Sequence, residues 1–478
     1  MGWHMNDKEI EYTGVLSYRD IDFTFVCDGR KLKLIPSKEK AHVVEWEWGT
    51  KPLGNGAFTL ADPIPVGEEV LFGTCNETKR EIAFLPEGGS FLSISNAVVI
   101  IPLFAYAVYK GNYKEYDRLS FSCIELNYIH PINKAFTLSL PQGEGNNGVF
   151  TVSTLDFETT TTERQSFLVD NNEVTVYFGI SRAVGMDNQG MPLRLESTLV
   201  FEFEPTDDFS FATRLWSIAR DFVRYLCYRR DISINEVKMS APYGDGQHDT
   251  FALLYFAAES NQSDQVSLKK GRYIKQSFIS GSEGKILSDI AAEALYIRHL
   301  PDSYHGGKHI NAARFVMITA AFEWEFRRLY PDGVKKPPAT IEAEEAVGAH
   351  IQECVEKTTG RQKKIFKFLQ KLVKSDSLQT EIVQIGNDFS EMLDVFGKHL
   401  YRLNGQTLVY ADMGQRLADQ RNHFAHGDLD KEFIGLSLLD LIYMELIVYA
   451  MQLHYYGIEP KKIQKAINDL FCLRLAID

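Results

Sequence analysis

The stretch KEFIGLSLLDLIYMELIVYAMQLHYY, residues 431–456, decides the fold of the C-terminal half. It is apolar on most of its sides, since residues such as Phe433, Ile434, Leu441 and Leu446 leave no continuous polar face. A helix at a protein surface has one apolar stripe, whereas a helix that is apolar all round is buried. The stretch therefore predicts the central helix of a helical bundle.

Helical spacing extends on both sides of this segment. It predicts further helices over 286–300, 310–330, 341–358, 362–373, 378–403, 408–426 and 461–471. Pro301, Pro331 and Pro460 fall at the breaks between them, where a residue without a backbone N–H is tolerated. We therefore expect an all-α domain over 281–478.

The N-terminal part has a different pattern. Short runs of alternating apolar and polar residues recur between turn residues, at 23–27, 31–35, 43–48, 173–178 and 199–204. Period two with many β-branched and aromatic residues is typical of strands. No helical crossover recurs at regular spacing, so a mostly antiparallel sandwich or barrel-like module is expected over 1–205. The fold class is thus multidomain α+β.

The region 206–280 is mixed. Helical spacing predicts a helix over 211–228, and strand-like pieces follow at 232–240, 250–258 and 271–279. This pattern fits either an α+β bridge or an extension of the N-terminal domain.

Composition narrows the classes of function. The 478 residues carry a net charge of −13, so a nucleic-acid contact is expected to be local rather than spread over the surface. The six cysteines are scattered, which argues against a zinc ribbon or a disulfide framework and fits a reducing cytosol. No apolar run is long enough to cross a bilayer. We expect a cytoplasmic protein with no membrane contact.

The stretch RNHFAHG, residues 421–427, carries the candidate chemistry. Arg421 can fork onto phosphate oxygens, Asn422 can orient a neighbour, and His426 can move a proton near neutral pH. Gly427 predicts the helix end, which places His426 in the last turn, and His423 is a supporting candidate on the same turn. The alternative is a solvated helix end whose charges only complement the helix dipole.

Two further features are candidates for contact with a substrate. Glu323 lies on an otherwise apolar helix and could pair with Arg421 or His426, or be an exposed or purely structural carboxylate. Arg361, Lys364, Lys367 and Lys371 form a basic stripe that could follow an RNA backbone. The alternative is a solvated face opposite the apolar residues of the same helix.

Metal-free RNA cleavage suits these groups. The ribose 2′-OH is an internal nucleophile, so the protein must supply an acid, a base and a cation. The chain shows no metalloprotease signature, reactive-cysteine motif, phosphate-binding loop or dinucleotide fingerprint, so we expect no metal and no cofactor. One chain offers a single His in this motif, and two chains about a two-fold axis would offer two. We therefore expect a site shared across a homodimer or higher oligomer.

At Arg421–His426 the sequence resembles the HEPN superfamily, helical bundles marked by Arg, a polar residue and a His a few positions later. The region from about 283 to 478 is similar to the ApeA-like HEPN branch, and the β-rich part resembles the domain that precedes it in ApeA-type anti-phage proteins. The resemblance implies a dimeric, metal-independent endoribonuclease with Arg421 and His426 catalytic and Asn422 as helper.

The resemblance also implies a biological setting. It implies abortive infection, in which a phage-derived trigger is sensed or activity is regulated through the N-terminal domain, and RNA such as tRNA is cut. Two alternatives stay open: a non-catalytic HEPN protein that binds RNA or a nucleotide or acts as a scaffold, and a toxin neutralised by a separate antitoxin.

Overall fold

The computed structural model describes residues 11–55, 57–139, 151–184, 193–244, 246–257, 265–373, 376–425 and 433–477. They form two compact units. The first comprises the described residues of Met1–Leu226, Arg230–Leu268 and Glu283–Ala292, and the second those of Cys227–Arg229, Lys269–Ser282 and Glu293–Asp478. The prediction of a β-rich N-terminal part followed by a helical C-terminal part is confirmed.

Seventeen strands occur in the described ranges. They are β1 (Tyr12–Tyr18), β2 (Ile21–Cys27), β3 (Lys31–Pro36), β4 (Thr50–Gly54), β5 (Ala57–Leu60), β6 (Leu71–Cys75), β7 (Glu81–Pro86), β8 (Ser93–Ser95), β9 (Val98–Tyr109), β10 (Tyr116–Ser122), β11 (Phe136–Ser139), β12 (Thr151–Thr154), β13 (Gln165–Val169), β14 (Asn172–Val184), β15 (Leu193–Thr206), β16 (Glu236–Tyr243) and β17 (Gln247–Phe256).

The same ranges contain fifteen α-helices. They are α1 (Lys38–His42), α2 (Leu126–Ile129), α3 (Phe157–Thr160), α4 (Phe209–Cys227), α5 (Gln265–Lys269), α6 (Gln276–Ile279), α7 (Glu283–Ala291), α8 (Ala312–Leu329), α9 (Pro338–Lys357), α10 (Gly360–Val373), α11 (Leu378–Asp388), α12 (Ser390–Leu403), α13 (Tyr410–Ala425), α14 (Ser437–Tyr455) and α15 (Pro460–Leu470).

The first unit is built on a closed antiparallel barrel. Its six strands pair in the order β9-β3-β2-β1-β6-β7, and β7 returns to β9 to close the ring. Alternate side chains of these strands point inward, as in Phe23, Phe25 and Cys27 of β2, all of which are buried. The Phe25 and Phe84 rings meet edge to face with centroids 5.0 Å apart inside the barrel.

β9 also starts an open sheet. Its second half pairs with β17, and the sheet continues through β16, β10, β15 and β14 to β13. The apolar face of α4 covers this sheet, where the Trp216 ring stacks on Phe256 at 3.9 Å. The strands of 236–256 therefore lie inside the sheet that the N-terminal strands build.

The strand predicted at 43–48 is wrong, because Val43–Trp48 forms a π-helical turn. Val44 is fully buried in the barrel core, and Trp48 packs against Tyr18 and Phe23 with centroids 6.1 Å apart in both cases. Residues four apart share one face of a helical turn, and here that face covers the barrel. The strand-like piece at 271–279 is also wrong, since it contains the helix α6.

The second unit surrounds α14, as the apolar stretch predicted. Fifteen of the 19 residues of α14 are buried, including Tyr443 and Tyr449. The helix begins at Ser437 rather than at 431, after a turn at Gly435 and Leu436. In the described ranges no helix is long and apolar enough to cross a membrane.

Two predicted helices are shorter than expected. The segment 378–403 is divided at Phe389, whose ring turns in to meet His454 at 4.8 Å, so that α11 and α12 are separate helices. The helix predicted over 286–300 ends at Ala291, and Glu293 adopts a left-handed backbone with φ of 54°.

Candidate functional site

The helix α13 carries Arg421 and is fixed to the bundle by its buried face. Met413, Leu417, Gln420 and Phe424 are all buried and recur at helical spacing. The Gln420 side-chain oxygen accepts hydrogen bonds from the Ile434 backbone N–H at 2.8 Å and the Ser437 hydroxyl at 2.9 Å. These bonds tie the last turns of α13 to the start of α14.

An ionic network one turn earlier strengthens this contact. Arg416 on α13 donates to both carboxylate oxygens of Asp440 on α14, at 2.6 and 2.8 Å, and the Tyr401 hydroxyl donates to the same carboxylate. Asp440 is completely buried, so the bidentate guanidinium and the hydroxyl replace its lost hydration. The position of Arg421 is therefore set by rigid neighbours.

Aromatic packing holds the end of α13 against α8. The Phe424 ring contacts Phe315 of α8 at 5.2 Å and Phe433 at 5.7 Å between centroids, and Phe315 and Phe433 are 6.0 Å apart. This three-ring cluster lies one turn beyond Arg421. Because α13 packs against α8 in this way, the polar side of α8 lies next to Arg421.

Arg421 forms a bidentate ion pair with Glu323 of α8. One guanidinium nitrogen donates to Oε1 of Glu323, and Nη2 donates to Oε2 at 3.3 Å. Glu323 also lies 3.8 Å from the guanidinium of Arg327, one turn further along α8. The Arg421 side chain is 43% exposed whereas Glu323 is 16% exposed, so the arginine is accessible to a ligand and the carboxylate lies below it. The sequence offered this pairing among its alternatives.

Glu381 of α11 is a second carboxyl in this cluster, and the sequence analysis missed it. It is 93% buried, and its Oε2 has no hydrogen-bond partner in the described part of the chain. Burial is the main cause that raises the pKa of Glu381 to about 7; the charges of Glu323 and Asp376 act in the same direction, and those of Arg327 and Arg421 act against it. The site therefore contains a carboxyl that can take up or release a proton near neutral pH.

A close approach of two helices produces this burial. A Cβ on Gly414 of α13 would lie 2.7 Å from Cα of Gln379 on α11, so only glycine permits this spacing. A signal for Glu381 was present in the sequence. It shares the apolar helix face of Leu378 and Ile385, where a carboxyl is expected to be buried.

The other residues of the motif are only partly described. Asn422 is exposed and His423 is half-buried near the described end of α13, at Ala425. His426, together with the predicted cap at Gly427, lies outside the described residues. The structure thus brings together Arg421, Glu323 and Glu381 from three helices.

The basic stripe lies elsewhere in the second unit. Arg361, Lys364, Lys367 and Lys371 are all exposed on α10, which packs against α9. Within the described ranges, no hydrogen bond or ion pair joins them to Arg421 or Glu323. The stripe is therefore a separate surface.

This arrangement combines three chemical capacities. An exposed guanidinium can bind a phosphate, provided that the phosphate replaces Glu323 as its partner. Glu323 keeps a second cation, Arg327, when Arg421 moves. When Arg421 moves away, Glu323 and Glu381 lose a positive charge between them, and Glu381 can then take up a proton so that only one of the two carboxyls is charged.

Comparisons with protein-family models, curated proteins and solved structures found no match to this chain in any of the three.

Proposed function

We propose that this protein is a metal-independent endoribonuclease of the HEPN type that acts in abortive infection, with a site shared across a dimer. In this proposal Arg421 stabilises the phosphate, His426 transfers protons and Asn422 orients the reacting groups. The observation that carries it is the exposed guanidinium of Arg421, held by Glu323 beside a buried carboxyl whose pKa is about 7.

The reaction proceeds by attack within the RNA. A base takes the proton of the ribose 2′-OH, the 2′-oxygen bonds to phosphorus, and the bond from phosphorus to the 5′-oxygen breaks. An acid protonates the departing 5′-oxygen, so the products are a 2′,3′-cyclic phosphate and a 5′-hydroxyl. Arg421 stabilises the extra negative charge of the pentacoordinate phosphorus. Two copies of His426 would supply the acid and the base.

Substrate binding changes the charge around Glu381. When phosphate draws Arg421 away from Glu323, Glu381 loses one of the two cations that lower its pKa. Its pKa then rises, and at neutral pH the carboxyl takes up a proton. Protonation removes the repulsion between Glu381 and Glu323, so the arginine can leave without two charged carboxylates remaining close together.

The β-rich unit is the candidate sensor or regulator. Its β4–β5 hairpin exposes Leu53, Phe58 and Leu60, and the neighbouring Trp46 meets Phe58 edge to face at 5.5 Å. Exposed apolar clusters of this kind are typical of protein-binding surfaces. A phage protein that covers this hairpin is the trigger we propose.

The Arg421–Glu323 pair also favours a second candidate function. A bidentate arginine–carboxylate pair is a stable resting partner, and a protein that binds RNA or a nucleotide without cutting it, or serves as a scaffold, could keep it permanently. A toxin silenced by a separate antitoxin would instead keep the pair until the antitoxin is removed. A purified toxin would cleave RNA without any addition, the proposed nuclease would cleave once its trigger is present, and a binding protein would cleave under neither condition.

The test is RNA cleavage by the purified full chain in excess chelator, with and without an extract of phage-infected cells as the source of the trigger. Wild type is compared with Arg421→Ala and His426→Ala at equal folded amounts, and Arg402→Ala serves as a control because that exposed arginine lies on α12. We expect cleavage by wild type and the control and at least a ~100-fold loss in the other two variants. Equal cleavage by all four would refute the assignment, and RNA binding without cleavage would favour the binding protein. A deoxyribose at the cut position should block the reaction.

A further inference from the structure

The helical hairpin of α9 and α10 has an unusual outer surface. Ile365, Phe368, Leu369 and Leu372 of α10 follow the spacing of one helix face, and they are between 39% and 61% exposed. No residue of α10 is buried, and side chains such as Phe366 are only half-buried. An isolated helix of this length is only marginally stable in water, so most of its stability comes from packing of its apolar face. We therefore expect an exposed apolar stripe of this size to be covered by a partner.

The charges of the hairpin are divided between its two helices. α9 carries five acidic residues and one basic residue, and α10 carries five basic residues and no acidic one. All five basic side chains of α10 lack an ion pair with any described residue, and so do Glu342, Glu345 and Glu356 of α9. Opposite charges are therefore available on the two helices of the same hairpin.

We infer that this hairpin is a self-association surface on which α10 of one copy packs along α9 of a second copy. A two-fold contact is self-complementary, so each copy supplies both the acidic and the basic helix and the contact forms twice. The apolar stripe of α10 would be covered, and its basic flank would face the unpaired glutamates. The occupant we assign is thus a second copy of this chain.

The size of the surface is sufficient for a dimer. The 20 residues of α9 span about 30 Å, and two adjacent helices are roughly 20 Å wide. The resulting area of about 600 Å² is at the lower end of the roughly 600–1,000 Å² that each partner of a typical stable interface buries. Apolar residues in the middle with charges at the edge are also the usual composition of such an interface.

Two other occupants fit the charges less well. RNA would neutralise the basic side chains but leave Phe368 and its apolar neighbours in water. An anionic membrane would accept both the basic and the apolar residues of α10. It would, however, be repelled by the acidic α9 alongside and by the net charge of −13. A second copy would cover the apolar stripe of α10, pair with its basic side chains and pair with the acidic side chains of α9.

The base of the hairpin adjoins the candidate site. Lys336, just before α9, bridges Glu344 of α9 at 2.9 Å and Asp376 at 3.0 Å. Asp376 is also one of the charges that act on Glu381. Self-association through the hairpin therefore involves a region in electrostatic contact with the Arg421 cluster. The inference rests on the proposed function only in that both require self-association; the hairpin surface is separate from Arg421, and it is tested without RNA.

Charge reversal gives a direct test. One full-length variant carries Lys364→Glu, Lys367→Glu and Lys371→Glu, and the other carries Glu342→Lys, Glu345→Lys and Glu356→Lys. In each variant alone, like charges face each other across the two-fold, so association measured by light scattering and sedimentation should weaken by about a hundredfold or more. An equimolar mixture of the two restores complementary pairs and should associate like wild type.

The controls make each result decisive. Leu403→Glu replaces an exposed apolar residue of α12 and should not alter association, and circular dichroism shows that every variant is folded. A wild-type monomer at all concentrations, undiminished association of the single variants, or a mixture that stays monomeric would each overturn the inference. So would a monomer that binds RNA or anionic vesicles through α10. Normal association with no RNA cleavage, even after addition of an extract of phage-infected cells, would refute the proposed function and leave this inference intact.

Discussion

Replacing Glu381 with Gln should remove a pH dependence from the stability of the helical unit. Burial raises the pKa of Glu381 from its ordinary value of 4.5 to about 7, so the native state holds this proton more tightly than the unfolded chain does. One pKa unit corresponds to about 1.4 kcal/mol, so this pKa difference changes the free energy of unfolding by about 3 kcal/mol. Glutamine has nearly the same shape and stays neutral.

The sign follows from proton linkage. The stabilisation by protonated Glu381 is fully present below pH 4.5, declines as the pH rises, and is lost above about pH 7. Relative to Glu381→Gln, the wild type should therefore lose about 3 kcal/mol of unfolding free energy between these limits. At pH 8 the variant should be the more stable of the two proteins.

The assay is urea unfolding at intervals between about pH 5 and about pH 8.5, followed by the helix signal in circular dichroism, which comes chiefly from the second unit. Glu391→Gln is the matched control, because Glu391 is exposed on α12 and its replacement should leave the pH profile of the wild type unchanged. Parallel stability curves for wild type and Glu381→Gln would refute the reasoning. They would mean that the carboxyl titrates normally and is not buried beside Glu323.

Three further predictions are tested by urea unfolding, followed by the helix signal for the second unit and by aromatic fluorescence for the barrel. Phe25→Ala should cost about 3–5 kcal/mol, because it removes a fully buried ring from the barrel; a smaller loss would mean a loosely packed interior. Asp440→Asn should cost about 2 kcal/mol, since it takes the bidentate carboxylate from Arg416; an unchanged stability would contradict the network. Gly397→Ala should cost about 1–3 kcal/mol, because its Cβ would lie 2.5 Å from Cζ of Tyr443. Gly348→Ala, with open space around it, should instead be neutral or stabilising.

The spacing of apolar residues correctly predicted those elements whose pattern fits only one kind of secondary structure. The stretch around α14 is apolar all round, which allows only a buried helix, and the alternating runs of β2 and β3 became barrel strands. The pattern at 43–48 was misleading, because Val44 and Trp48 pack on the barrel from a helical turn. Local alternation cannot distinguish these cases when the partner surface is formed by distant residues.

The candidate site was predictable only in part. Glu323, on an otherwise apolar helix, was a candidate partner of Arg421 or His426, or an exposed or purely structural carboxylate, and in the structure it pairs with Arg421. The spacing of Leu378 and Ile385 indicates the helix face of Glu381, but its neighbours are set by the close approach of α11 and α13 at Gly414, which spacing along the chain does not encode. The alternative to an RNA-binding stripe on α10 was a solvated face opposite the apolar residues of that helix, and in the structure no residue of the helix is buried, so its apolar side is exposed as well.

Sequencing of RNA ends, with identification of the terminal groups, tests the central claim most directly. Cells that express wild type or His426→Ala at equal levels are compared after phage infection. The account predicts new 2′,3′-cyclic phosphate and 5′-hydroxyl ends with wild type, and their absence with the variant. Identical ends in both, or ends that carry 5′-phosphates from attack by water, would contradict cleavage by the 2′-hydroxyl at Arg421 and His426.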